Sequence, residues 1–178
     1  CGGASEFARG ALGFCERAEV SAHRLQVLPQ YREHYFLLRR IGGRQRLRFG
    51  APLPWREAAR HALVLLAPEM HNRAVVDQAL RDAGAQVEPA METDSVLALL
   101  LAVQADAGLA AVLPGALVST ARDQTGLQAH PLTAPEVRTA VGWLCAGGVP
   151  ASRAVGAALD LAGNAQWQAE LEQHTGAL

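Results

Sequence analysis

The feature that most constrains the fold is an alternation of short apolar runs and helical segments through the middle of the chain. Leu63–Leu66 and Leu109–Leu113 have the length of buried strands, and Val87–Met91 is interpreted as a strand between them. Helices are predicted from about Asn72 to Ala83 and from Thr93-Asp94-Ser95 through Ala107, each stopped by a glycine. This order, with short connections, is typical of an α/β fold with a parallel sheet and right-handed crossovers.

The segments on either side add further strands, helices and loops. Strands are predicted at Leu25–Leu28 and His34–Leu38, which Pro29 separates, and at Leu127–Leu132 and Val137–Cys145. Helices are predicted at Glu6–Ala18, at 55–60, from Pro150 and Ser152 to Ala162, and in the last fifteen residues. Residues 42–50 and 115–126 are predicted to be loops.

The charge balance does not favour nucleic-acid binding by this chain itself. Sixteen Lys and Arg residues stand against seventeen Asp and Glu residues, which gives a net charge of -1. One basic cluster stands out, and because it lacks aromatic residues and helical spacing we interpret it as a solvated loop. Its members are Arg39, Arg40, Arg44, Arg46 and Arg48.

The sequence predicts a soluble cytoplasmic protein. The longest apolar run, Val96–Val103, is too short to span a bilayer and is expected to form a buried helix. The N-terminus lacks the basic segment and long apolar core of a secretion signal. Cys1, Cys15 and Cys145 have no metal-type spacing, which fits incidental thiols in a reducing compartment.

Candidate catalytic and metal-binding residues find little support. Cys145 lies in an apolar strand, and Ser119-Thr120 has no glycine frame of the nucleophile-elbow type. Glu69 and His71 have no second histidine at ligand spacing, so zinc is not expected. We therefore expect no catalytic residue, no metal and no cofactor.

From about Leu25 to Ala162 the order of elements resembles the effector-binding domain of LysR-type transcriptional regulators. Each phrase is short, and the resemblance rests on four of them in the right order over most of the chain. They are Leu28–Leu38, Leu63–Arg73, Ala90–Ser95 together with Gly108–Pro114, and Leu127–Leu132.

This resemblance implies a periplasmic-binding-protein-like (type II) regulatory domain with an incomplete first lobe. Residues 1–22 are too short for the strand-helix-strand-helix unit with which the family's domain begins, and they do not match it. In the predicted organisation, 23–126 form the second lobe, 127–163 return to the first lobe, and 164–178 form a helical tail. Leu109 and Ala110 also replace the family's glycine-containing turn after Gly108.

The function implied by the resemblance is effector sensing without catalysis. A small, anionic metabolite would bind between two lobes and control DNA binding through a helix-turn-helix domain absent from this chain. A homo-oligomer is also expected, because an incomplete first lobe should leave Val137, Val141 and Leu144 in need of cover. The alternatives are a stand-alone solute-binding module of the same fold and, with less support, a small α/β enzyme.

Two predicted helix starts supply the candidate ligand-binding residues. They are Met70, His71, Asn72 and Arg73 at the first, and Thr93 and Ser95 at the second. Helix N-termini favour anions because their N–H groups lack partners inside the helix.

Each of these positions also has a purely structural interpretation. Asn72 and Ser95 or Thr93 could be ordinary helix caps, and Arg73 could be solvated or paired with Asp77 one turn later. For His71 the structural interpretation is favoured, whereas for Asn72, Arg73 and Thr93 the two interpretations stay equal.

Overall fold

The strand-helix-strand-helix-strand pattern lies at the centre of the computed structural model, which describes residues 11–13, 25–146 and 153–174. The described elements, in chain order, are β1 (Ala11–Gly13), β2 (Leu25–Arg40), β3 (Arg48–Phe49), β4 (Leu53–Pro54), α1 (Trp55–Ala58), β5 (Ala62–Leu66), α2 (His71–Asp82), β6 (Met91–Thr93), α3 (Val96–Ala105), β7 (Leu109–Pro114), α4 (Gly115–Thr120), β8 (Leu127–Thr133), β9 (Arg138–Ala146), α5 (Arg153–Ala162) and α6 (Ala165–His174). They divide into two compact units. The central unit spans His34–Arg138, and the terminal unit contains the described residues on either side of it.

The sheet of the central unit confirms the predicted parallel crossovers. Its strand order is β8-β2-β7-β5-β6, and β5 pairs in parallel with both β6 and β7. Strand β2 runs antiparallel to both of its neighbours, β7 and β8. The short strands β3 and β4 pair in parallel with β8.

Two hydrophobic clusters cover the two faces of this sheet. Side chains alternate along a strand, so Tyr35 and Leu37 enter one cluster while Phe36 and Leu38 enter the other. The first cluster packs beneath α1 and α2 and includes Trp55, Leu63, Leu65, Val76 and Leu80. The second packs beneath α3 and α4 and includes Val64, Leu66, Leu99, Val103 and Val118.

Two strand predictions are corrected in position or extent. Leu25–Arg40 is one continuous strand, and Pro29 does not interrupt it because the fixed φ of proline is compatible with an extended backbone. Strand β6 begins at Met91, later than the predicted Val87–Met91. Pro89 has no N–H for the ladder, and the first backbone bond to β5 in this region is donated by Ala90 to Leu63.

One loop prediction and one helix prediction are also corrected. Gly115–Thr120 is a helix inside the predicted loop 115–126, because Val118 anchors it in the second cluster. Ala11–Gly13 is a strand paired with β9, within the helix predicted at Glu6–Ala18, whose other residues lie outside the described ones.

Helix α3 buries only one face, although Val96–Val103 was expected to be buried as a whole. Leu99 and Val103 are fully buried, whereas Leu97 and Leu101 are 65% and 53% exposed. An apolar helix therefore presents leucines to solvent in this structure.

The terminal unit packs β9 and the end helices around the first half of β2. Gln30 links β2 to both end helices, α5 and α6. Its side chain donates to the carbonyl of Ala162 at 3.2 Å and accepts from Trp167 Nε1 at 3.0 Å. Val141 and Leu144 of β9 are buried. In the central unit, Val137 packs against the first cluster. The open apolar surface expected at these three residues is therefore not found.

Candidate functional site

Three parallel strands of the central unit end at one edge of the sheet, which we call the carboxyl edge. The last residues of β5 and β6, Leu66 and Thr93, are register partners, and β7 ends beside them at Pro114. Helices α2, α3 and α4 follow these three strands. The two helix starts identified from the sequence therefore lie at the same edge, which is where α/β sheets place ligands.

Helix α2 begins at His71 with Met70 as its N-cap residue, and no side chain caps it. Met70 packs against the second cluster, and His71 is exposed. Asn72 lies within the first turn, so its interpretation as the cap residue is wrong. Its Oδ1 accepts a hydrogen bond from the Tyr35 hydroxyl at 3.3 Å. This bond leaves the Asn72 Nδ2 group as the part of the side chain that can donate to a ligand.

Arg73 is buried, which contradicts its interpretation as a solvated side chain. Its Nε donates to Asp77 at 2.8 Å, as the alternative of a pair one turn later predicted. Its Nη1 donates to Glu92 at 2.6 Å and to the carbonyl of Leu66 at 2.8 Å. Burial lowers the pKa of Arg73, but the bonds to Asp77 and Glu92 outweigh it and hold the pKa above its usual range. Arg73 thus ties α2 to the ends of β5 and β6.

Thr93 and Ser95 organise the start of α3. Ser95 is the N-cap residue, and its side chain accepts from the N–H of Ala98 at 3.3 Å, as expected of a cap. Thr93 Oγ1 accepts from the N–H of Ser95 at 3.1 Å. Since that bond uses only a lone pair, the hydroxyl proton of Thr93 can still be donated to a ligand.

The structure adds a histidine to the carboxyl edge that sequence reasoning missed. His34 of β2 is 6% exposed, and its Nε2 has no hydrogen-bond partner among the described residues. Burial and the nearby Arg138 lower the pKa of His34, and Glu136 opposes them. Arg138 is itself paired with Glu136 at 2.5 Å. The available signal was a histidine at the start of the predicted strand His34–Leu38, but its neighbours from 136–138 become visible only in the fold.

Two absences hold for the part of the chain that the structure describes. No three side chains of the His, Cys, Asp and Glu types come together there in a way that could hold a metal ion. Among the same residues, no helix has both the length and the apolar character needed to cross a membrane.

Several solved structures have the same fold. The regulatory domain of CcmR from Synechocystis PCC6803, solved in complex with 2-PG, has a TM-score of 0.69 at 14% identity, and the match covers 86% of this chain and 71% of that chain. The effector-binding domain of QuiR in complex with shikimate has a TM-score of 0.64 at 12% identity, covering 86% and 69%. Full-length CbnR complexed with its target DNA has a TM-score of 0.56 at 13% identity, covering 79% and 46%.

At these identities the structures establish the fold alone, and the family assignment comes from the sequence match. No curated protein matches the chain significantly. The family model described as the LysR substrate binding domain matches residues 12–167, which is most of the chain. The chain therefore belongs to the LysR substrate-binding domain family.

Proposed function

We propose that this chain is the effector-sensing domain of a LysR-type transcriptional regulator, and that its carboxyl edge binds a small anionic metabolite. The observation that carries the proposal is the meeting of the α2 and α3 starts at adjacent strand ends, in a chain of this family. The CcmR and QuiR domains, whose structures hold 2-PG and shikimate, share this fold and support a small-molecule ligand. Control of DNA binding would pass through a helix-turn-helix domain outside these 178 residues. The proposed function is cytoplasmic and does not involve catalysis.

Within the proposed site, the candidate residues divide into ligand contacts and positioning residues. Asn72 and Thr93 retain donors and are proposed to contact the ligand, together with the uncapped start of α2 around Met70 and His71. Ser95 caps α3 and Arg73 is bonded to Asp77 and Glu92, and we propose that these two residues position the helix starts. His34 is added as a candidate contact because its Nε2 is buried without a partner among the described residues.

Self-association is part of the same proposal, but it needs a different surface from the one first expected. Val141 and Leu144 are buried, whereas Leu97 and Leu101 project from α3, a helix with no charged residue. A second copy covering these leucines would remove apolar area from water at roughly 25 cal/mol per Å². The dimer or larger species stays a prediction, which sedimentation of the chain would test.

The ligand proposal is tested by titrating 2-PG, shikimate and simple dicarboxylates into the chain by calorimetry. Thr93→Ala should weaken the best ligand by about two- to tenfold through one lost hydrogen bond, and Asn72→Asp should weaken it further by charge repulsion. Thr125→Ala and Gln86→Glu are matched controls, because they make the same chemical changes at exposed positions away from the carboxyl edge. If both site variants bind like the parent, the ligand lies elsewhere, and if no anion binds, the anionic class is wrong.

A further inference from the structure

A second polar cluster lies at the opposite end of the central sheet, which we call the amino edge. Arg39, near the end of β2, is the register partner of Gln128 at the start of β8. His130 follows two residues later on β8, and His61 immediately precedes β5. Because Leu37 is the register partner of His130, Arg39 and His130 lie on the same face of the β2–β8 pair. Both lower the pKa of His61. The interpretation of Arg39 as part of a solvated loop is wrong, because it is a partly buried strand residue.

Arg39 has a positive charge without a compensating carboxylate in the described part of the chain. Its Nη2 makes one long hydrogen bond, 3.4 Å to the neutral Oε1 of Gln128. Its Nε is buried, and no described residue accepts a hydrogen bond from it. An ionised group removed from water is unfavourable unless something pairs with it. This guanidinium therefore has donors available to an anion.

His130 is held in a fixed orientation beside Arg39. Its Nδ1 lies 2.9 Å from the carbonyl of Ala51, which can only accept, so Nδ1 carries the proton. The backbone at Gly50 lies against the ring, and a Cβ added there would come within 2.3 Å of His130 Cε1. The other nitrogen, Nε2, is buried and has no partner among the described residues. When protonated, it would become a second unpaired donor in the cluster.

His61 completes the cluster and retains some exposed surface. Burial, Arg39 of β2 and His130 of β8 lower the pKa of His61, and Glu57 of α1 opposes them. Glu57 is also bonded to Arg60 at 2.8 Å, so its charge is shared. An anion at this point would offset the unfavourable effect of Arg39 on His61 and favour the protonated form of the His61 imidazole.

We propose that Arg39, His61 and His130 form a binding site for a small tetrahedral oxyanion at the amino edge, separate from the ligand site at the carboxyl edge. The planar guanidinium offers several N–H groups, and each imidazolium offers one more. A free inorganic anion fits this set because Arg39 Nε and His130 Nε2 are buried atoms, which a larger molecule would reach less easily. Binding requires proton uptake, so affinity increases as the pH falls.

Sulfate is the probe, because its own charge does not change across the range in which histidine titrates. The parent chain is titrated calorimetrically with low-millimolar sulfate at about pH 5.5 and about pH 8, with sodium chloride at matched ionic strength. We expect saturable binding of sulfate that is several-fold tighter at the lower pH. Identical heats in sulfate and chloride, or equal sulfate affinity at both pH values, would overturn the proposal.

Three variants locate the bound anion. Arg39→Gln should weaken sulfate binding by about tenfold or more, and His61→Gln should reduce its pH dependence. Arg40→Gln is the matched control, because this exposed neighbour donates to the carbonyl of Ala105 instead. His61→Gln keeps the test valid if Arg39→Gln fails to fold. Equal weakening in Arg39→Gln and Arg40→Gln, or no change in His61→Gln, contradicts the assignment.

Discussion

The two edges of the central sheet differ in how they accommodate an arginine. At the carboxyl edge, Arg73 has two carboxylates and a backbone carbonyl as partners. At the amino edge, Arg39 has one long bond to a neutral amide. Since these partners occupy most of its donors, Arg73 has few left for a ligand, and we interpret it as a structural residue. The arginine that was assigned to a loop is the one with free donors.

The largest expected effect is loss of stability when Arg73 is removed. Arg73→Met would leave Asp77, Glu92 and the carbonyl of Leu66 without their common donor, so we expect the free energy of unfolding to fall by about 2–4 kcal/mol. A larger loss, as found when one partner of a fully buried ion pair is removed, is not expected because Glu92 is 44% exposed. Urea denaturation measures the change, and the exposed Arg81→Met on the same helix is the control. A loss no greater than that of the control would remove the distinction between the two edges.

A smaller effect, with the opposite sign, is expected at the amino edge. In buffer free of oxyanions, Arg39→Met should leave the free energy of unfolding unchanged or raise it by up to about 1 kcal/mol. The reason is that methionine keeps much of the packing and eliminates an uncompensated charge with a buried Nε. The same denaturation experiment tests this, and a loss comparable with that of Arg73→Met would show that Arg39 has structural partners after all.

The smallest effect is a difference in pH dependence. The pKa of His61 is lowered in the folded chain, so the unfolded chain binds more protons over the range between the lowered and the ordinary value. Stability from this group is therefore complete above about pH 6.5 and is lost as the pH falls through the lowered pKa. His61→Gln should flatten the acid side of the stability curve measured between about pH 8 and pH 5. His71→Gln, at an exposed position, is the control.

Local sequence patterns predicted the central crossover but not the partners of its polar residues. The runs around Leu63–Leu66 and Leu109–Leu113 are continuous apolar stretches of the length that a buried strand has, and both formed strands of the parallel sheet. The ion pair of Arg73 on α2 depends on Glu92, which lies nineteen residues away on strand β6. Likewise, the position of Arg39 beside Gln128 depends on β2 pairing with β8. Contacts of this kind are set by strand order and register, which composition and spacing do not specify.

The positions of the two helix starts were predicted from the sequence, whereas the hydrogen-bond partners of their side chains were not. The sequence placed Asn72 and Thr93 at helix starts, and the register of β5 with β6 brings those starts to one edge. It did not show that Tyr35 orients the amide of Asn72, because Tyr35 belongs to a strand predicted only as part of the core. It also gave no reason to connect His34 with Arg138. Whether these residues bind a ligand stays a prediction.

The alternation of side chains along β2 makes the two sides of the central unit fold together. Tyr35 and Leu37 belong to one hydrophobic cluster while Phe36 and Leu38 belong to the other, so a single backbone segment is shared by both. Loss of one residue from this segment would exchange the two sets and place each beneath the wrong helices. Because both clusters depend on this one strand, we expect them to unfold together. The amides of this segment should exchange with solvent deuterium only when the whole unit opens, which makes the sheet centre a reporter of global cooperativity.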